Sequence, residues 1–476
     1  MAGSLEKRGE NSWRLIVSCG MDANGKQIKK TRTVKGLSPK EAEKALALFI
    51  AEVEKGQVVD SPKITLSSFV ERWLKDYAET NLAPKTLYRY RQLLDSRILP
   101  ALGHLRLQNI RPNHLLEFYK NLQEEGIRED VKCSVKSEEF NAIIRKKGLR
   151  IVDICRKSGM SDNTIHRARS GGSVTLKTAQ ALSSALDVEL ETLFTKQEPG
   201  SLSGQTVRHH HRLLSAILQD AVEWQALYSN PASRIKPPKV TKKQAVCYDE
   251  EQTAALLQAI NGEPLQYQMI VILAISTGLR LGELMGLEWK GIDFDIGVLR
   301  VRKASQSLPK SYLEKNPLPK DIEKGENGVF TKPPKNETSV RLVSIPESVV
   351  TFLKKYKAFQ SEERMKIADK WFESDRLFTT WDGHPMFPYT MSNWFPEFLK
   401  RHGLPHIPFH SLRHTAATLL IGRGLHAKTI SSRLGHSNIS TTMDIYGHAL
   451  KSADREAADK LDNLFKGPDN AEQLKG

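Results

Sequence analysis

Near the C-terminal end of this chain, two histidines, an arginine and a tyrosine follow one another in Phe409-His410-Ser411-Leu412-Arg413-His414-Thr415, Leu434-Gly435-His436 and Asp444-Ile445-Tyr446-Gly447-His448. A phosphodiester can be broken without a metal by a hydroxyl nucleophile if three other groups are present. One takes its proton, one puts fixed positive charge on the non-bridging oxygens, and one is an acid for the leaving oxygen. Tyr446 is a hydroxyl of that kind, His410 and His436 are imidazoles, and Arg413 carries a charge that cannot be lost and a planar fork that fits phosphate oxygens. His410 and Arg413 are three apart, so a helix puts both on one face. The same spacing is also found on ordinary solvated helix faces. Upstream, Ser276-Thr277-Gly278-Leu279-Arg280-Leu281-Gly282-Glu283 sets a second arginine two residues after a glycine, with Glu283 three residues further on at an expected helix start. A plain Arg280–Glu283 salt bridge fits that spacing as well.

These groups need elements to hold them. The apolar run Met269-Ile270-Val271-Ile272-Leu273-Ala274-Ile275 reads as a buried helix ending at Thr277-Gly278, and Asp249 caps the helix before it, with Leu256, Leu257 and Ile260. Gly297 to Arg302 and Val340 to Pro346 read as strands on either side of a long polar excursion. The His410–Arg413 helix continues through Ala416, Ala417, Leu419 and Leu420, and Ile430 to Leu434 forms a short helix. Thr441 to Tyr446 is the expected nucleophile helix. Ala453, Ala457, Leu461 and Leu464 stripe a last helix that fits equally well on its own domain or on a neighbouring protomer.

Together with Ser276–Glu283, the C-terminal segments resemble the boxes of the tyrosine recombinase (phage-type integrase) family, in that family's order. The resemblance implies that Tyr446 attacks DNA to give a 3′-phosphotyrosyl link. Arg280 and Arg413 would hold the scissile phosphate, His410 would accept or orient the tyrosine proton, His436 would bond a non-bridging oxygen, and Glu283 would buttress the site. The family's catalytic lysine sits in the hairpin before the second strand; Lys335 matches its distance from the Ile345-Pro346 end, with Lys332 the substitute. Neither cofactor, metal nor ATP is expected, since the chain has no phosphate-cradling glycine loop and no carboxylate cluster for magnesium. The expected partners are double-stranded DNA at core-type and arm-type sites, three further copies of the chain in a homotetramer on that DNA, and an accessory DNA-bending or directionality factor.

The rest of the chain reads as a multidomain protein, mostly α with small β-sheets. Residues 1–60 give two strands joined at Asn24-Gly25 and a helix behind Ser38-Pro39-Lys40-Glu41 that buries Ala42, Ala45, Phe49 and Val53. This resembles an arm-type DNA-binding domain, with Lys26, Lys29, Lys30 and Arg32 facing phosphates. Residues 63–128 and 201–235 resemble the helical, SAM-like core-binding domain. Phe69, Trp73, Leu74 and Tyr77 form its apolar stripe, a helix runs from Pro112 to about residue 125, and Lys85, Thr86, Arg89, Arg91, Arg208 and Arg212 lie toward the DNA backbone. Residues 129–199 interrupt it with a five-helix pattern that resembles a phage-repressor helix-turn-helix. There Gly159 makes the turn, Ile165 is buried, and Asn163, Thr164, His166, Arg167 and Arg169 are left for a major groove. Residues 236–244 are a basic, proline-stiffened linker with Lys242 and Lys243, 245–466 an α+β catalytic domain, and 467–476 a frayed tail. The run His209-His210-His211 is not a metal site, because adjacent helical residues point in different directions.

Composition agrees with a polyanionic partner. The 476 residues carry a formal charge of +16 and a pI near 9.5. Cys19, Cys133, Cys155 and Cys247 form no CxxC pair, which argues against a zinc site or a disulfide framework. No membrane-length apolar run or signal core occurs, so a cytoplasmic protein associated with a bacterial nucleoid is expected. Two other readings remain at this level. One is a DNA-relaxing enzyme of the type IB topoisomerase class, against which the arm module and linker argue. The other is a DNA-binding regulator acting through the inserted helices.

Overall fold

The computed structural model describes residues 2–21, 25, 27–54, 64–124, 127, 131–197, 200–240, 246–325, 328–333 and 340–435. These divide into two compact units, up to Thr241 and from Lys242.

The first unit opens with an antiparallel sheet, β1 (Gly3–Gly9), β2 (Ser12–Met21) and β3 (Gln27–Lys35), in that order, followed by helix α1 (Pro39–Glu54). Leu15 and Val17 on β2 are buried with Phe49 and Val53 of α1, and Ala42 is buried too, whereas Ala45 is only partly covered. The Glu41 carboxylate accepts from the Ser38 amide at 2.9 Å and the Ser38 hydroxyl at 2.7 Å, which fixes the start of α1. The sequence reading missed β1. Its Leu5-Glu6-Lys7-Arg8 stretch has little alternation, and its strand character comes from pairing with β2, Leu5 opposite Leu15.

A helical body follows. Helix α2 (Leu66–Trp73) carries on through Leu74–Ala78 to Asn81, α3 (Pro84–Leu93) through Leu94–Ile98 to Leu102, and α4 spans Pro112–Asn121, short of the expected residue 125. Phe69, Trp73, Leu94, Leu115 and Tyr119 form its core. The chain then leaves this core and comes back to it.

Between the two visits lie β4 (Lys132–Val135), α5 (Ser137–Lys146), α6 (Ile151–Ser158), α7 (Asp162–Arg169), β5 (Val174–Thr175), α8 (Leu176–Leu186), a short turn of helix at Leu190–Leu193, and β6 (Phe194–Lys196). This segment has its own core around Phe140, Ile154, Ile165, Leu182 and Phe194. The helices match the sequence pattern, but the small sheet was not foreseen. β4 pairs with both β5 and β6, so the entering and leaving strands are neighbours. Helix α9 (Gly204–Glu223) then adds Val207, Leu213, Leu214, Ile217 and Leu218 to the first core. The amide of Leu202 donates to the Leu122 carbonyl at 3.1 Å, closing the host chain across the segment. On α9 the three histidines diverge. His209 meets Gln205, buried His210 bonds the Thr206 carbonyl, and His211 bonds the Tyr119 hydroxyl.

The second unit packs α10 (Glu250–Ile260), α11 (Leu265–Thr277), a short α12 (Leu281–Met285), α13 (Glu347–Ile367), α14 (Tyr389–Arg401), α15 (Ser411–Gly422) and α16 (Ala427–Leu434) with two small sheets. Its main core joins Met269, Ile270, Leu273, Leu353, Phe378, Phe395 and Leu412. One sheet has the order β12 (Arg341–Ser344), β8 (Val298–Val301), β7 (Ile292–Asp293), with Arg341 opposite Val301. The expected polar excursion is in part a second sheet, β10 (Glu323–Lys324), β11 (Val329–Lys332), β9 (Ala304–Ser307). Its buried positions mix Val329 and Phe330 with Ser305, Ser307 and Thr331, so hydropathy does not reveal it. Ser305 and Thr331 are buried 3.2 Å apart, and buried Arg376 reaches the Thr331 hydroxyl at 2.8 Å and the Gly286 carbonyl at 2.9 Å. No described helix is long and apolar enough to cross a membrane.

Candidate active site

The site grows from the end of α11. Gly278 adopts φ +66°, a left-handed conformation that glycine takes without penalty, and a Cβ there would lie 2.5 Å from Leu434 Cδ2 on α16. This tight turn puts Arg280 at the N-cap of α12. There the Glu283 carboxylate accepts the Arg280 amide at 3.0 Å and Arg280 Nη1 at 2.9 Å. The Arg280–Glu283 salt bridge that the spacing suggested is present. Arg280 Nη2 donates to the Gly435 carbonyl at 3.2 Å, and the side chain remains 40% exposed.

Helix α15 brings in the second arginine from below. Arg413 is buried and its Nη1 donates to the Gly278 carbonyl at 2.8 Å, locking α15 to the turn that presents Arg280. His410, at the N-cap of α15, stands edge-to-face against His414 with ring centroids 5.3 Å apart. Burial pushes the His410 imidazole down, and His414, Arg413 and Arg280 push it the same way against a small opposing pull from Glu283, to about 4. At neutral pH His410 is therefore uncharged, able to accept a proton or orient a hydroxyl.

Arg280, Glu283, His410 and Arg413 thus come together from segments far apart in the chain. His436, Tyr446 and Lys335 lie outside the described residues. Gly435, in the left-handed region at φ +68°, immediately precedes His436, and half-buried Lys332 ends β11 three residues before Lys335 in the sequence.

Two arginines escaped the sequence reading. Arg341, the first residue of β12, donates Nη2 to Glu283 Oε2 at 2.9 Å and Nε to the Arg433 carbonyl at 2.8 Å. Arg433 in turn donates Nη2 to the carbonyls of Ser276 at 2.7 Å and Ser344 at 2.9 Å. Burial raises the Glu283 carboxyl, but the hydrogen bonds and charges of Arg341 and Arg280 outweigh it and hold the group below its usual range. The one available signal was that Arg341 is charged within an otherwise apolar-flanked strand, Val340-Arg341-Leu342.

The candidate DNA contacts are more dispersed. Lys29 is exposed and Lys30 half-buried, but Arg32 is paired with Glu52 at 2.6 Å and lies over the Phe49 ring; Lys26, Lys242 and Lys243 are outside the described residues. On α3, Lys85 and Arg89 are exposed and Thr86 half-buried, while Arg91 is tied to Glu79 at 2.5 Å. Arg89 is close enough to α9 to help depress the buried His210 imidazole, although burial is the main cause; Arg212 is exposed and Arg208 half-buried on the same helix. On α7, Ile165 and Ala168 are fully buried, Thr164 is half-buried, and His166, Arg167 and Arg169 are exposed, with Arg169 Nε donating to Asn141 Oδ1 at 2.9 Å. Asn163 belongs to α7 as well. No group of metal-ligating side chains occurs among the described residues.

Known proteins resemble this chain in sequence and in fold. Residues 247–453 match the phage integrase family and 65–123 the phage integrase N-terminal SAM-like domain, the latter ending one residue beyond Leu122. A XerC-like tyrosine recombinase of Caldanaerobacter subterraneus subsp. tengcongensis is 26% identical over 468 residues, 96% of this chain and 98% of that one. The ICEBs1 integrase of Bacillus subtilis is 30% identical over 264 residues, 56% of this chain and 67% of that one. A tyrosine recombinase of Thermosipho africanus is 30% identical over 241 residues, 50% and 68%. In structure, the Tn1549 transposon integrase (residues 82–397) in complex with a circular-intermediate DNA superposes with a TM-score of 0.54 at 17% identity, over 84% of this chain and all of that one. The chain belongs to the phage integrase family of tyrosine recombinases, enzymes that cleave and rejoin DNA strands.

Proposed function

We propose that this recombinase integrates and excises a mobile element, with Tyr446 as nucleophile. The Tyr446 hydroxyl attacks the scissile phosphorus in line, and neutral His410 accepts or orients its proton. Arg280 and Arg413 hold the non-bridging oxygens as negative charge develops, and His436 bonds one of them. Lys335, or Lys332 in its place, protonates the departing 5′ oxygen. The bond is conserved as a 3′-phosphotyrosyl link, and a 5′ hydroxyl of the partner strand reverses the step. The observation that carries this reading is the junction of Arg280 and Arg413 through Gly278, with an uncharged His410 beside them. The ICEBs1 integrase among the relatives and the circular-intermediate DNA bound by the Tn1549 enzyme favour an element-end substrate. Assembly as a homotetramer on core-type sites, with arm-type sites read by the N-terminal sheet and an accessory bending or directionality factor, completes the proposal. A cytoplasmic, nucleoid-associated location goes with it.

The segment 129–199 is proposed as a second DNA reader, with α7 in a major groove. Two buried residues, Ile165 and Ala168, anchor α7 and leave His166 and Arg167 outward. Replacing the segment by a short linker removes that reader while the Leu122–Leu202 closure keeps the host core. If site choice and efficiency were unchanged, the second reader would be ruled out.

The direct test is covalent trapping on nicked suicide duplexes made from the element's junctions. A denaturant-resistant protein–DNA adduct that disappears in Tyr446→Phe is expected. Tight binding with no adduct from the native chain would favour a DNA-binding regulator.

A further inference from the structure

Glu283 carries one negative charge, and two arginines share it. Arg280 takes one oxygen through Nη1 at 2.9 Å, and Arg341 takes the other through Nη2 at 2.9 Å, with its Nη1 3.4 Å from the first. The two guanidiniums are in different settings. The Arg341 side chain is 7% exposed and Glu283 8%, whereas Arg280 is 40% exposed. Arg341 also clamps the end of α16 through the Arg433 carbonyl, and a Cβ on Gly435 would stand 2.8 Å from its Nη1. That same Gly435 supplies the carbonyl to which Arg280 Nη2 donates. One buried side chain therefore touches the Arg280 box, the strand that follows residues 334–339 and the turn before His436.

We propose that Arg341 is a positioning residue for strand cleavage: by neutralising Glu283 and fixing the Gly435 turn, it keeps Arg280 from being drawn wholly onto the carboxylate and turns its free donors to the scissile phosphate. The proposal rests on the reading of Arg280 as the phosphate-holding group. Its physical basis is that a buried carboxylate with a single arginine partner grips it in a two-bond fork. With Arg341 in place, Arg280 gives Glu283 one side-chain N–H and Gly435 another, and its side chain keeps 40% of its surface exposed. Without Arg341, Arg280 is the one remaining side-chain cation that Glu283 contacts among the described residues, and it must choose between Glu283 and the DNA.

The experiment uses the full chain at saturating suicide duplex and compares an ordinary scissile phosphate with a neutral methylphosphonate at the same position. Arg341→Met should cleave the ordinary substrate on the order of 10²-fold more slowly with DNA affinity within about twofold, as expected for a group that acts only in the transition state. On the methylphosphonate, which needs less positive charge, the deficit should shrink to about threefold. Adding Glu283→Gln should restore about tenfold of the lost rate, because no buried carboxylate then competes for Arg280. Arg341→Lys, which keeps the charge but not the fork, should fall between, and it carries the comparison if Arg341→Met does not fold. Equal deficits on both substrates, or a double variant slower than the single one, would overturn the role of Arg341 alone. A native chain that forms no Tyr446 adduct would overturn the active-site reading itself.

Discussion

The arginines of the recombination site and the basic residues of α7 use the same chemistry in opposite ways. Around Gly278, Arg413, Arg341 and Arg433 are buried or half-buried, and each is held by a carbonyl or carboxylate from a distant part of the chain. On α7, Ile165 and Ala168 are buried and Arg169 meets Asn141, but His166 and Arg167 are exposed. Charges fixed in advance cost no reorganisation when a transition state forms, so they suit rate. Charges on an exposed helix face stay adaptable and hydrated, which suits affinity and sequence choice. Loss of a held charge should therefore appear in the cleavage rate, and loss of an exposed one in binding.

The strongest way to break that contrast is Arg413→Ala. Single-turnover cleavage should drop by about 10²–10³-fold with little change in DNA affinity. A loss mainly in affinity would put Arg413 in the binding class instead. Next comes a pair of glycines. Both Gly278 and Gly159 have positive φ, but a Cβ on Gly278 meets Leu434 at 2.5 Å, while one on Gly159 meets nothing within 4 Å. Gly278→Ala should cost about 2–4 kcal/mol, strain plus overpacking, and slow cleavage, whereas Gly159→Ala should cost only about 1 kcal/mol of strain and leave cleavage alone. Chemical denaturation alongside the trapping assay distinguishes them.

The pH profile sharpens the same point. Because His410 is held near 4, it stays unprotonated down to mildly acidic pH, so the acid limb of kcat/KM should fall near pH 4 rather than near the ordinary histidine value. The linkage has a matching sign. Between about pH 4 and 6.5 the unfolded chain binds the extra proton, so His410 makes stability decline as pH falls through that window. A limb near 6.5 would mean that His410 is not the proton acceptor. The smallest effects belong to the exposed host residues. Arg89→Ala and Arg212→Ala should each weaken binding uniformly across sequences and lower the salt slope by about one, with the cleavage rate on saturating DNA unchanged.

Much of this was legible in the sequence because the signals are local. The end of the buried helix at Gly278, the cap at Asp249, the helix of His410 and Arg413, and the burial of Ile165 all follow from spacing and residue type. Features that were missed depend on partners far away. β1 is a strand because β2 lies beside it, and the polar sheet of β9 and β11 hides its hydrogen bonds among Ser305, Thr331 and Arg376. The pairing of Arg32 with Glu52 and of Arg91 with Glu79 is likewise set by neighbouring elements.

The sequence by itself determined which groups could do the chemistry and the helices that carry Arg280, His410 and Arg413, because residue type and helical period act over a few residues. Only the tertiary structure decided that Arg341 shares Glu283 with Arg280, that Arg413 closes on Gly278 and that Leu122 meets Leu202 across the inserted segment. Those contacts join residues far apart in the chain. Each exists because a buried charge or amide must find a partner wherever packing brings one, and no local pattern names that partner in advance.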